Sequence, residues 1–210
     1  TLDKKEFYEN SILSLKEKYK NDIDILLGYE VDFVKGDYLL DSIKNSKADY
    51  LIGSVHYLNG WGFDNPEFIK EYERRDIDNI WEEYFEAVEN MAKDGSFDIV
   101  GHFDLIKVFK FLPKRDIKSI ALNSLKAIKK SGMSIEINQA GFRKPIKEQY
   151  PSIPLLELAY ELDIPITFGS DAHSVEQVGF KYDDVTKIAK DIGYTKCTYI
   201  KNREKIIVDF

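Results

Sequence analysis

Residues 164–173 read IPITFGSDAH, and the fold turns on how this stretch is divided. IPITFG is short, apolar and β-branched, as a buried strand would be. It then changes at once to Ser170, Asp171, Ala172 and His173. The same pattern recurs upstream. DYLIGSVHY (49–57) carries His56 near its end, and FDIVGHF (97–103) carries His102 with Asp104 just beyond. The strand DILLGYEVDFV (24–34) carries Glu30. The sequence contains only three histidines, and each stands at or just past the C-terminal end of an apolar strand.

Helical periodicity fills the intervals. Residues 3–20 place Phe7, Ile12, Leu15 and Tyr19 roughly on one face, which predicts an amphipathic helix. Further helices are predicted at 37–45, 76–94, 115–130, 152–162 and 183–192. NPEF (65–68) opens a helical stretch with Pro66 placed for its first turn, and Gly132 is placed to stop the helix at 115–130. Strands are predicted at 133–138 (MSIEIN) and 197–201. No Gly/Ser linker or low-complexity tract divides residues 1–210, so one domain is expected. The β-α alternation implies parallel strands with helical crossovers, and a barrel or a doubly wound sheet would satisfy it. No G-x-G-x-x-G turn follows the first strand, which weakens a dinucleotide-binding reading.

Bulk properties narrow the function. The 210 residues carry a formal charge of −7 with a pI near 5.1, which argues against general nucleic-acid binding. A small phosphorylated substrate needs only a few local cations. No apolar run approaches a membrane span. Residues 1–20 alternate charged and apolar positions, unlike a signal peptide. The single cysteine, Cys197, excludes an internal disulfide framework, and a reducing cytoplasm is the expected setting.

If the strand ends share one rim, as in a barrel, the polar residues converge. Imidazole and carboxylate ligate Zn, Fe and Mn. Two such ions ~3.5–4 Å apart can clamp a phosphoryl group and activate water. Each residue also has a plainer reading. A single histidine can be a hydrogen-bonded core group, and Glu30 can pair with a lysine. Asp104 is expected to cap the helix after its strand. Lys107, Arg143 and Lys144 follow rim strands; they suit phosphate oxygens or serve as solvated loop charges. Trp61 and Phe63 could pack on a substrate ring or close the core. The shared position of all three histidines favours a metal site.

GYEVDF (28–33), GSVHYLNGWGFDNPE (53–67), DIVGHFDLIK (98–107), EINQAGFRKP (136–145) and GSDAH (169–173) resemble, in order, segments of the polymerase-and-histidinol-phosphatase (PHP) family. The resemblance is greatest to its histidinol-phosphate phosphatase branch. It implies a distorted (β/α)7 barrel holding up to three divalent ions, Zn, Fe or Mn. It implies hydrolysis of L-histidinol phosphate in histidine biosynthesis. Glu30 would be a bridging carboxylate, His56 and His102 would complete the second metal site, Asp171 would serve the first and His173 the third. Asp171 and His173 would act at the reaction centre and Arg143 would bind phosphate, with Lys107, placed after the His102 strand, as a second candidate for the substrate. The family's opening H-x-H and Asp-His strands have no counterpart here. The chain is therefore expected to lack the first two barrel strands and to hold about one ion, with an N-terminal fragment as a possible partner. The alternatives are a PHP phosphoesterase acting on another small phosphate ester, or an inactive barrel fragment. The resemblance leaves the oligomeric state open.

Overall fold

The computed structural model describes residues 2–36, 39 and 41–210. Helix α1 (Leu2–Lys18) leads into strand β1 (Gly28–Asp32), followed by the short helix α2 (Asp41–Lys44) and strand β2 (Tyr50–Ser54). The predicted helix at 37–45 thus falls partly on residues outside those described. A small hairpin, β3 (Tyr57–Leu58) and β4 (Trp61–Gly62), precedes α3 (Glu71–Arg74) and the long α4 (Ile77–Asp94). Then come β5 (Ile99–Val100), α5 (Ile117–Ser131), β6 (Ser134–Asn138), α6 (Ile153–Glu161), β7 (Ile166–Gly169) and α7 (Tyr182–Ile192). A terminal hairpin, β8 (Lys196–Lys201) and β9 (Glu204–Asp209), completes the order.

Five strands form one sheet in the order β1-β2-β5-β6-β7, with every pairing parallel. The order follows the chain without reversal. A doubly wound sheet reverses at a switch point; this sheet winds in one direction, as a barrel does. The helices agree, since α4 packs on α5, α5 on α6 and α6 on α7. Strands β1 and β7 are the sheet's edges, so the described residues do not close it on itself. Strands β8 and β9 pair antiparallel with each other and stay outside the five-stranded sheet.

Local chemistry explains the helices. Asp76 caps α4 by accepting from the Asn79 N–H. The helix then buries Ile80, Trp81, Tyr84, Phe85, Val88, Met91 and Ala92. Asp116 caps α5 through the N–H groups of Lys118 and Ser119. Gly132 ends α5 in the left-handed region, φ 79°, with its N–H on Ile128 and Lys129 carbonyls, as predicted from the sequence. Pro66 opens only a single 3-10 turn, capped by Asn65. Trp61 and Phe63 are core: Phe63 is fully buried, and Trp61 packs edge-on against Tyr72 at 4.7 Å.

Helix α1 departs from the amphipathic expectation. Phe7 is 76 % exposed, and Leu15 and Tyr19 also face solvent. Polar contacts hold the helix instead. Tyr8 donates to the Gly28 carbonyl, Tyr29 donates to Glu9, and Lys16 pairs with Asp49.

Inside the sheet, space near the C-terminal strand ends is tight. A Cβ on Gly169 would fall 1.8 Å from Glu136 Oε1, and Glu136 is buried and hydrogen-bonded. Gly169→Ala should therefore cost about 1–3 kcal/mol, the usual range for overpacking. Denaturant unfolding tests this; an unchanged midpoint would mean that Glu136 swings aside freely.

Candidate metal centre

Because the strands are parallel, their C-terminal ends share one rim. Side chains alternate along each strand, so Glu30 and Asp32 leave β1 on one face. Asp32 stands opposite Ser54 in the β1–β2 register. His56 lies two residues past Ser54, beyond the end of regular pairing, so the predicted strand 49–57 stops short of its histidine. His102 lies two residues past β5.

Glu30, His56 and His102 converge, with one potential ligand atom from each lying within 4.8 Å of the others. Glu30 Oε1 is the focus: His102 Nε2 stands 3.0 Å away, Ser54 Oγ donates at 2.7 Å, and His56 Nε2 is at 3.9 Å. The two imidazoles meet edge to face, centroids 4.8 Å apart. The opposite side of the His56 ring, Nδ1, lies 2.5 Å from Asp32 Oδ1.

His102 is held by its surroundings. Its backbone has a positive φ of 24°, a strained conformation for a non-glycine residue, costing on the order of 1–3 kcal/mol. Its N–H donates to Glu136 Oε2 at 3.1 Å, which helps to fix it. Glu136 Oε2 also accepts from Asn138 Nδ2 at 2.9 Å, and that amide approaches Asp171 Oδ2 at 3.4 Å. Behind His102, Tyr84 from α4 donates to its carbonyl at 3.4 Å. Glu30, Glu136, Asn138 and Asp171 line one cavity of about 320 Å³ inside the arc of strands.

The charges are coupled. The His102 hydrogen bond and charge pull the Glu30 carboxyl down to about 2, against its partial burial. Burial pushes the His102 ring down, but Glu30, Glu136 and Asp171 together raise it above its ordinary value. Burial raises Glu136.

The donor set fits a divalent ion. One carboxylate and two imidazoles leave a fourth position open, the composition of many catalytic zinc sites. Two ligands each ~2.1 Å from zinc can be at most about 4.2 Å apart. The widest spacing here would close by roughly half an ångström or more on loading.

Other predicted residues fall differently. Asp171 reaches the shared cavity, also with positive φ, 48°. His173 lies outside the trio; its ring is 81 % exposed, with Nδ1 3.0 Å from the Asp171 carbonyl oxygen. Arg143 Nη2 donates to the Ser170 and Asp171 carbonyls, both at 2.8 Å. Its Nη1 is buried without a hydrogen-bond partner among the described residues. Lys144 is exposed.

Two expectations are corrected. Asp104 precedes the 3-10 turn Leu105–Lys107 but makes no capping hydrogen bond; it accepts instead from the Ser152 N–H at 2.8 Å. Lys107 does not line the shared cavity. It is 1 % exposed, lies 3.0 Å from Asp104 and 2.7 Å from Glu148, and donates to the Gln149 carbonyl. Sequence reasoning also missed Asp32, Ser54, Glu136 and Asn138. Each lies two residues from another polar site residue, and that spacing was the available signal.

Lys107→Met would leave Asp104, which is fully buried, without its counter-charge. It should lose about 3–5 kcal/mol of stability while KM for any phosphate ester stays unchanged. A raised KM at full stability would restore the substrate-binding role. For the metal-free chain, the Glu30–His102 pair sets a pH window. Glu30, lowered, contributes stability above its unfolded value that is lost as pH falls toward 2. His102, raised, contributes stability below its unfolded value, near 6.5, that is lost as pH rises through its folded value. The metal-free chain should thus be more stable near pH 5–6 than at pH 8. Metal affinity should run the other way, falling with acidity because imidazole must be neutral to coordinate. Thermal melts with and without zinc at both pH values check the sign.

Comparison with known proteins agrees with this geometry. The profile of the PHP domain matches residues 4–140, and that of a PHP-associated region matches 156–192. The chain is 39 % identical over 194 residues to a probable histidinol-phosphatase of Deinococcus radiodurans, covering 91 % of this chain and 74 % of the relative. It is 28 % identical over 210 residues to a histidinol-phosphatase of Bacillus subtilis, covering 85 % of this chain and 74 % of that protein. Among solved structures, a putative histidinol phosphatase from Listeria monocytogenes superposes with a TM-score of 0.72 at 24 % identity, over 88 % of this chain and 76 % of the other. A histidinol phosphate phosphatase from Lactococcus lactis, solved with zinc, L-histidinol and phosphate, gives 0.71 at 19 % identity, over 95 % and 78 %. With its PHP profile match spanning more than half its length, this chain belongs to the PHP domain family.

Proposed function

We propose that the chain carries the metal-binding rim of a histidinol-phosphate phosphatase, which hydrolyses L-histidinol phosphate to L-histidinol and phosphate in histidine biosynthesis. The observation that carries this reading is the convergence of Glu30, His56 and His102 at the C-terminal strand ends, in a chain 39 % identical to a probable histidinol-phosphatase. The activity is that of a phosphoric monoester hydrolase. A biosynthetic role and a chain in which no described helix is long and apolar enough to cross a membrane suit a cytoplasmic setting.

The roles we assign combine the geometry with the family resemblance. A bound divalent ion supplies Lewis acidity toward phosphate oxygens and lowers the pKa of water. Glu30, His56 and His102 would hold it. Asp171, in the same cavity as Glu30, would take part in the reaction centre, with His173 closing from the exposed side. Arg143 is tethered through Nη2 to the loop bearing Asp171, and the family resemblance makes it the candidate phosphate-binding residue. The trio offers three ligands at one point, whereas Asp171 and His173 offer one each elsewhere, so the chain by itself should hold about one ion.

For the fold, we infer a single domain over residues 1–210 forming most of a distorted (β/α)7 barrel. Two strands outside these residues would fill the gap between β1 and β7. The unreversed strand order and the row of helices support this reading. Activity on another small phosphate ester is the second reading, since the metal trio does not distinguish one ester from another.

Phosphate release from L-histidinol phosphate, measured beside a panel of phosphomonoesters, tests the proposal. The expected result is preferential turnover of histidinol phosphate that chelation abolishes and zinc or manganese restores. His102→Ala should reduce kcat/KM by at least the roughly 10–100-fold that loss of an outer-shell metal partner costs. Turnover insensitive to both chelation and His102→Ala would contradict it.

A further inference from the structure

The two histidines of the trio are held in different ways. His102 is buried and packed, and its Nδ1 has no hydrogen-bond partner among the described residues. His56 stands past the end of β2, and its side chain is partly open to solvent. Packing alone does not define its ring orientation. One directional contact does: Nδ1 lies 2.5 Å from Asp32 Oδ1, while Nε2 points toward Glu30 at 3.9 Å.

We propose that Asp32 is a positioning residue for the metal centre, fixing His56 as the Nδ1–H tautomer so that the Nε2 lone pair faces the ion. The argument is one of donors and acceptors. A carboxylate accepts only, so Asp32 demands a proton on Nδ1. Neutral imidazole carries one N–H, and that leaves Nε2 as the lone-pair nitrogen. Metal-bound histidines are commonly oriented by an outer carboxylate of this kind. The strand geometry makes the contact possible: Glu30 and Asp32 share a face of β1, so one strand supplies both the ligand carboxylate and the carboxylate behind the neighbouring ligand. Among the described residues His102 has no such partner on Nδ1, so removing Asp32 takes a carboxylate partner from His56 alone.

This inference rests on the metal-centre reading, and the test separates the two. Histidine 15N shifts of the metal-free protein at pH 8 report each tautomer directly, and zinc competition titration reports affinity. In the wild type, the His56 ring should show protonated Nδ1 and unprotonated Nε2. Asp32→Ala should shift His56 toward the Nε2–H form, leave His102 signals in place and weaken zinc roughly 10–100-fold. Asp32→Asn, which keeps an acceptor oxygen, should recover part of that affinity. The retained His102 signals show that the Ala variant is folded; should it unfold, Asp32→Leu, which also lacks an acceptor, gives the same tautomer readout. An unchanged His56 tautomer in Asp32→Ala, or unchanged zinc affinity with an altered tautomer there, would overturn the positioning role. A wild type that shows the Nδ1–H tautomer yet binds no zinc would overturn the metal centre itself.

Discussion

Parallel pairing of five strands in chain order is the constraint on which the site depends. Each crossover returns the chain to the same end of the sheet, so residues at the ends of β1, β2, β5, β6 and β7 meet although they are far apart in sequence. Glu30 and Asp171 line one cavity for this reason. Helices α4, α5 and α6 bury their apolar stripes against the sheet and supply the rigidity on which a metal site relies. Tyr84 illustrates the coupling: it is a core residue of α4 whose hydroxyl reaches the His102 carbonyl.

Electrostatics then favours a cation. Glu30, Asp32, Glu136 and Asp171 gather around two imidazoles, and Glu136 and Asp171 both act on His102. Burial penalises the Glu136 charge, and the nearby Asp171 carboxylate adds to that penalty. Without an ion, a raised His102 pKa relieves part of the excess negative charge. A divalent ion would replace that proton, so protons and metal compete for the same position.

Much of this was legible in the sequence because two periodicities carry it. Alternating β-α segments marked the strands, and the abrupt change from apolar to polar at 169–173 marked a strand's C-terminal end. His56 and His102 were identifiable because histidine is rare here and both stand just past a strand end, and Glu30 stood out as a carboxylate inside an apolar strand. What escaped depends on contacts distant in sequence. Lys107 follows His102 closely, but the 3-10 turn at Leu105–Lys107 carries it inward to Asp104 and Glu148. Asp104 meets the Ser152 backbone, 48 residues away, which no local capping rule anticipates. Asp32 and Glu136 look like ordinary strand polar residues until register places them beside His56 and the His102 backbone. The exposed apolar side chains of α1 show the converse limit, since periodicity identifies a stripe but not what covers it.

X-ray absorption at the zinc edge, on the chelator-treated chain reloaded with one equivalent, most directly tests the central claim. A first shell with two imidazole nitrogens at ~2.0–2.1 Å beside carboxylate or water oxygen, falling to one imidazole in His102→Ala, is the predicted result. A shell with no imidazole, or one unchanged by His102→Ala, would contradict it.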